Sequence, residues 1–297
     1  MTKKFAMGID IGGTKIMTGI IDSTGKVLGR AYKMPSNGNE PKEKILDRLF
    51  SSVDHVLKEN LITYDQLFGI GLGVPGPLDI KNGIVLNPWQ LPTMENFPLR
   101  QAFADHFLIP VAMDNDANSY ILGESYFGAG KGYEIVLGLT LGTGLGCAIV
   151  MQRKIHLGAF ETSGEICVSP YHGGIIEDFV SGAGLKRAYK SKSGKAAEPP
   201  EILALAKGGD SDALSTWAEF GEHLAYCLAW CINLLDPDVV VLGGSLTKGS
   251  EFFLSAMQQR LLKWINPVPA AKLKILPASL GDVGGMVGAA CLVLPKE

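Results

Sequence analysis

Apolar and polar positions fall in short blocks along most of this chain, and glycines cut the blocks. Residues 5–10, 16–21 and 27–33 read as three strands. They are separated by Gly12-Gly13 and by Ser23-Thr24-Gly25, a hairpin signal. Ile45, Leu49, Val53, Val56 and Leu57 recur at helical spacing. That predicts a helix over 41–60, with Pro41 suited to its first turn. Residues 69–74, 84–86 and 111–114 read as further strands. Residues 98–107 read as a short helix, and a polar-capped helix opens at Asn115. Strands are expected at 135–141 and 146–150, around a second glycine turn. The longest helix is expected over 210–235. Its stripe is Leu214, Trp217, Ala218, Gly221, Leu224, Ala225, Leu228, Ile232 and Leu235, and Pro237 stops it. Residues 239–242 form a buried strand that runs into Gly243-Gly244-Ser245. Residues 191–200 read as a polar loop.

Two of the strand-to-glycine turns carry chemistry. Residues 8–15 read G-I-D-I-G-G-T-K, and residues 137–146 read L-G-L-T-L-G-T-G-L-G. Such turns aim successive backbone N–H groups into one concavity, which suits phosphate oxygens. Two of them predict a duplicated architecture that grips a polyphosphate from both sides, through Gly12, Gly13 and Thr14 and through Gly142, Thr143 and Gly144. Asp10 lies inside the first turn. Its carboxylate would repel phosphate unless a cation intervened, which implies Mg²⁺. Asn115-Asp116 follows an apolar strand and opens a helix. The plain reading is a helix cap. The functional reading is a carboxylate that accepts a hydroxyl proton while the amide beside it orients the same substrate.

Other nucleotide patterns fail. Gly71-x-Gly73-x-x-Gly76 matches the dinucleotide fingerprint by letters, but Pro75 and Pro77 forbid the helix that must follow. Thr14 and Lys15 stand in the wrong order for a Walker loop. The protein-kinase motif set is missing.

A chain of 297 residues is long for one core, so two domains are expected. The formal net charge of -3, without a basic block, argues against nucleic-acid binding. Apolar runs are too short to span a bilayer, and the start does not read as a signal peptide. The five scattered cysteines fit reduced thiols in a cytoplasm. Cys227 and Cys231 lie on one helix face without neighbouring His or Cys, which favours packing over metal binding. Glu165 and Glu177 each read alone as surface carboxylates, and His172 as structural or solvent-facing.

Taken in order, these motifs resemble the ROK family of sugar kinases, within the actin-like, hexokinase-type ATPase superfamily. D-I-G-G-T-K (10–15) is similar to the family's first phosphate motif. G-V-P-G-P-L-D (73–79) with Asn87 is similar to its sugar-side loop. N-D-A-N (115–118), G-E-S-Y-F-G-A-G-K-G (123–132), L-G-T-G-L-G (141–146) and L-G-G-S (242–245) follow in the family's order. The resemblance covers nearly the whole chain. It implies an α/β fold of two ribonuclease-H-like domains with a cleft between them. The smaller domain would take 1–116, completed by a C-terminal helix at about 284–297, and a nucleotide-binding domain would take 117–283.

The resemblance further implies that Asp116 is the catalytic base. Gly76, Asn87, Asn115, Glu165 and Glu177 would contact the sugar. Asp10, Gly12, Gly13, Thr14, Lys15, Gly142, Thr143 and Gly144 would serve the phosphates, with Asp10 reaching Mg²⁺ through water. Gly243, Gly244 and Ser245 would let adenosine approach the backbone. The expected activity is ATP-dependent phosphorylation of a hexose primary hydroxyl, of glucokinase type, in the cytoplasm. Alternatives are an N-acetylated amino-sugar kinase, a polyphosphate-using glucomannokinase, and a catalytically silent sugar sensor. The expected partners are ATP and a small sugar, with neither nucleic acid nor membrane, and a homodimer stays open. The chain departs from the family at Gly164-Glu165-Ile166-Cys167-Val168, where Val168 stands in place of a histidine. The loop that follows, 169–176, is short and lacks cysteine. No structural zinc is expected, and His172 is the candidate substitute donor.

Overall fold

The computed structural model describes residues 3–295, which divide into two compact units. Unit 1 takes the chain as far as Gly132, then Val150–Thr162 and the residues from Ser279 on. Unit 2 takes Tyr133–Ile149 and Ser163–Ala278.

The chain opens with β1 (Phe5–Ile11), β2 (Lys15–Asp22) and β3 (Val27–Pro35), then α1 (Lys42–Asn60) and β4 (Leu67–Val74). The two-residue pair β5 (Leu78–Asp79) and β6 (Ile84–Val85) precedes α2 (Leu99–Phe107), β7 (Val111–Asn115) and α3 (Asp116–Phe127). Next come β8 (Ile135–Leu141), β9 (Leu145–Met151) and β10 (Lys154–Ile155). The hairpin β11 (Pro170–Tyr171) and β12 (Gly174–Ile175) leads to α4 (Gly182–Ser193), α5 (Pro199–Lys207) and α6 (Ser211–Leu235). Then follow β13 (Val239–Gly243), α7 (Ser250–Trp264), α8 (Pro267–Lys272), β14 (Lys274–Pro277) and α9 (Gly284–Cys291).

In unit 1 the sheet order is β3-β2-β1-β4-β7. The first three strands are antiparallel, and β4 runs parallel to β1 and β7. Side chains alternate across a strand, so Met7, Ile9 and Ile11 share one face of β1 while Gly8 and Asp10 share the other. The first face packs with Ile45, Leu49, Val53 and Val56 of α1 in the main core. Each such residue contributes about 1.5–3 kcal/mol by leaving water. Pro41 caps α1, and Leu61 ends it in the left-handed region. The second face receives α9 at very close range. A Cβ on Gly8 would lie 1.9 Å from Met286 O, and one on Gly71 would lie 1.7 Å from Ala289 O. That contact places Asp10 on the side of the sheet that faces the start of α9.

The sheet that carries most of unit 2 has the order β10-β9-β8-β13-β14. By rank along the chain this repeats the first sheet: third, second, first, fourth, fifth. The duplication expected from the two glycine turns is present in the topology, since each turn joins the first and second strands of its sheet. In α6, Asp210 caps the N-terminus and Asp236 ends the helix at φ 46°. Trp217, Leu224, Leu228 and Ile232 are buried as expected, but the stripe shifts at its start. Ala213 faces inward there, and Leu214 is exposed. Gly221 lets α7 approach, because a Cβ there would lie 2.4 Å from Phe253 O.

Some elements differ from the sequence reading. The loop expected at 191–200 shrinks to the residues between α4 and α5, because α4 runs on to Ser193 and closes with Gly194 at φ 71°. Unit 1 runs on to Gly132, past the domain boundary expected at 116, and so takes in α3 and the residues that follow it. That helix packs on α9 within unit 1, where Gly123 meets Gly288 without room for a Cβ. Among the described residues, no helix is long and apolar enough to cross a membrane.

Candidate active site

The first glycine turn links β1 to β2. Gly12 N–H donates to Lys15 O at 2.9 Å and closes it. Ser36, at the end of β3, takes both carbonyls of the turn: its Oγ donates to Gly13 O at 2.6 Å and its N–H to Thr14 O at 3.2 Å. A trans peptide sets N–H opposite C=O, so the Thr14 N–H faces away from Ser36. Gly13 and Thr14 are exposed, and Gln90 packs over Gly13. Asp10 is partly buried beside the start of α9, where a Cβ on Gly285 would lie 2.5 Å from its Oδ2. Burial pushes its carboxyl up to about 6, against the pull of the Lys15 ammonium. A buried carboxylate held up in this way favours a cation beside it.

At the end of β7 the chain enters α3. Asn115 is the helix cap: its Oδ1 accepts from Ala117 N–H at 2.9 Å and Asn118 N–H at 3.4 Å. The plain cap reading therefore holds, and it engages only the side-chain oxygen. The amide nitrogen lies beside Gly76, 3.4 Å from where a Cβ would stand there. Asp116 follows as the first helical residue and accepts from its neighbour Ala117 N–H at 2.8 Å. The loop that carries Asn87 is tied back next to Gly76, because Leu86 N–H donates to Pro77 O at 3.0 Å. Asn87 itself is exposed.

Asp114, which the sequence reading did not single out, supports this corner. It is 5% exposed, and its Oδ1 accepts from Asn118 Nδ2 at 2.8 Å and from Asn115 N–H at 2.7 Å. Burial pushes its carboxyl up to about 6, and nearby Glu161 adds to the rise, although those hydrogen bonds oppose it. The sequence signal was an acidic residue that follows the apolar run 111–113 and directly precedes Asn115-Asp116.

In unit 2, Gly142 N–H donates to Gly144 O at 3.0 Å and closes the second turn. Thr143 is exposed at its tip. Glu177, expected on a sugar, reaches this turn: its Oε2 accepts from Leu145 N–H at 2.8 Å. Gly244 has φ 89° and packs on the end of β8, where a Cβ would lie 2.3 Å from Leu141 O. Gly243-Gly244-Ser245 and Gly142-Thr143-Gly144 thus share one end of the sheet.

Glu165 is exposed, and its Oε2 accepts from Cys167 Sγ at 3.4 Å. Burial pushes the Cys167 thiol up to about 12, with Glu165 and Glu177 both adding to the rise. Cys167 thus lies near both carboxylates, a link the sequence reading missed. Val168 is 63% exposed. His172 is exposed at the tip of the β11–β12 hairpin. Among the described residues, no group of three His, Cys, Asp or Glu side chains could hold a metal ion, and the five cysteines are free thiols.

A profile of the ROK family matches residues 6–296. The chain is similar to the glucokinase of Thermotoga maritima, at 28% identity over 99% of this chain and 98% of that protein. It is similar to the N-acetyl-D-glucosamine kinase of Escherichia coli, at 32% identity over 97% of this chain and 98% of that protein. Its fold is similar to the crystal structure of a ROK family glucokinase from Streptomyces griseus in complex with glucose and AMPPNP. The TM-score there is 0.81 at 27% identity, over 96% of this chain and 98% of that one.

Proposed function

The chain belongs to the ROK family and is an ATP-dependent sugar kinase; we propose that its acceptor is the primary hydroxyl of a hexose and that Asp116 takes the proton from it. The observation that carries this reading is the Asn115–Asp116 step. Open α/β sheets bind ligands beyond the carboxyl ends of their strands. At the end of β7, the cap uses the Asn115 oxygen and leaves its amide beside Gly76, next to a carboxylate. That pair suits a sugar hydroxyl: the amide donates to one oxygen, and the carboxylate accepts a proton as attack begins.

In this reading the two units are ribonuclease-H-like domains. Gly76, Asn87, Asn115, Glu165 and Glu177 orient the sugar. The amides of Gly12, Gly13 and Thr14 and of Gly142, Thr143 and Gly144, with Lys15, stabilise charge on the phosphates. Gly243, Gly244 and Ser245 receive adenosine. Positioning and electrostatics supply most of the rate in such transfers. Asp10 fits Mg²⁺ by chemistry: it is a hard oxygen donor, and this ion commonly takes one or two carboxylates plus substrate phosphates. Held there through water, the ion would neutralise phosphate charge.

The sugar has two readings. Glucose is the first. An N-acetylated hexosamine is the second, favoured by the higher identity to the N-acetyl-D-glucosamine kinase. ADP release with glucose, mannose, fructose, N-acetylglucosamine and N-acetylmannosamine, and phosphorus NMR of the product, tests both. A phosphate on the primary carbon of one of these sugars is the expected result. Activity on none of them would remove the proposal.

A further inference from the structure

We propose that Tyr171 is a positioning residue for Glu177, docking onto α6 the short hairpin that leads into it. The inference rests on the reading of Glu177 as a sugar contact. The β11–β12 hairpin pairs only Pro170 with Ile175 and Tyr171 with Gly174. Its turn, His172-Gly173, has φ 46° and 81°, which is the pattern of the tight two-residue hairpin turn. A ribbon of this length does not hold its place in water by itself. Something else must anchor it.

Tyr171 is that anchor. It is buried although its hairpin neighbours are not. Its hydroxyl lies 2.9 Å from His223 Nδ1 on α6. Its ring lies 4.7 Å from Tyr226 and 5.1 Å from Phe179. His223 and Tyr226 are three residues apart, so they share one helix face. Glu219 Oε1 stands 3.5 Å from His223 Nε2. That carboxylate favours the proton on Nε2, which leaves Nδ1 to accept the tyrosine O–H.

The docking reaches the second glycine turn through Glu177. This residue lies two positions beyond β12, in a helical turn at Ile176–Asp178. Its carboxylate accepts from Leu145 N–H and lies against Gly144. A shift of the hairpin would draw the carboxylate off that turn. The short 169–176 segment therefore holds its place through tyrosine, histidine and aromatic contacts.

A double-mutant cycle tests this, using kcat/KM for whichever hexose or N-acetylhexosamine the enzyme turns over. The variants are Tyr171→Phe, Tyr171→Ala, Glu177→Gln and each Tyr171 change combined with Glu177→Gln. Thermal melts identify any variant that fails to fold. Tyr171→Phe keeps the ring and loses one hydrogen bond, for an expected fall of about 3-fold. Tyr171→Ala is expected to lower kcat/KM by about 30-fold, and in the Glu177→Gln background both effects should shrink toward unity, the sign of coupling. Equal losses in both backgrounds would overturn the positioning role while leaving Glu177 as a sugar contact. If Glu177→Gln alone changes nothing, both fall. Should Tyr171→Ala not fold, the Tyr171→Phe cycle decides in the same way.

Discussion

The Glu124 carboxylate accepts the Ser279 backbone N–H at 3.0 Å, across 155 positions of sequence. It also accepts Leu280 N–H at 2.9 Å and Ala129 N–H at 2.7 Å. Glu124 is fully buried on α3. These donors stand where an ion-pair partner would otherwise be needed. Gly128 is glycine for the same reason, since a Cβ there would lie 2.0 Å from Glu124 Oε2. Residues 279 and 280 lead through a helical turn at Gly281–Val283 into α9, whose first turn faces Asp10. A carboxylate remote from the chemistry therefore fixes the helix against which Asp10 is set.

Glu124→Ala leaves several buried N–H groups without an acceptor. The expected loss of stability is about 3 kcal/mol or more, read from urea unfolding midpoints. A loss of less than about 0.5 kcal/mol, the range of neutral surface changes, would contradict the role given to Glu124.

Asp114 should make stability fall as pH rises. Its carboxyl is held near 6 in the folded chain, above its ordinary value of 3.8. The folded state therefore binds the proton more tightly than the unfolded one does. The favourable contribution is complete below the unfolded value and is lost as pH rises through the folded value. Asp114→Asn keeps an oxygen for Asn118 and the Asn115 N–H and removes the titration. The variant should gain stability relative to wild type between about pH 4 and pH 7. Unfolding curves at several pH values check this, and a constant difference across that range would refute it.

Much of the fold was legible because turn chemistry and periodicity agreed. Strand β8 has the bounds that its apolar run predicts, and Pro41 and Pro237 mark the ends of α1 and α6. The two glycine turns pointed to duplication before any sheet order was known. Helix α9 was not legible from propensity: Gly284, Gly285 and Gly288 weaken a helix. Its helix forms through tertiary packing: Gly288 meets the α3 backbone at Ser119, Gly284 and Gly285 make room for Tyr120 and Asp10, and Gly8 and Gly71 let the sheet approach it. The β11–β12 hairpin was missed because two residues per strand leave no alternation to read. In the site, Asn115 and Asp116 stood out as a pair at a strand end. Glu124 and Tyr171 did not, because Ser279, Leu280 and His223, which they meet, lie far along the chain, and nothing in the residue order shows that Asp114 is buried.

Metal dependence separates two roles. Activity should require Mg²⁺, vanish with a chelator and return when Mg²⁺ is added. Elemental analysis of purified protein should find no stoichiometric zinc. About one tightly held zinc per chain, as structural sites carry, would contradict the expectation drawn from the cysteine-free 169–176 segment.

The central claim is that Asp116 removes the proton from a sugar hydroxyl as phosphate is transferred. It is tested most directly by sugar-dependent ADP formation in wild type and Asp116→Asn at saturating ATP and Mg²⁺. Asparagine keeps the shape and cannot accept the proton. We predict that kcat falls by about 100- to 10,000-fold, the usual worth of a positioned base, while the sugar KM changes little. A variant that turns over at close to the wild-type rate would contradict the account.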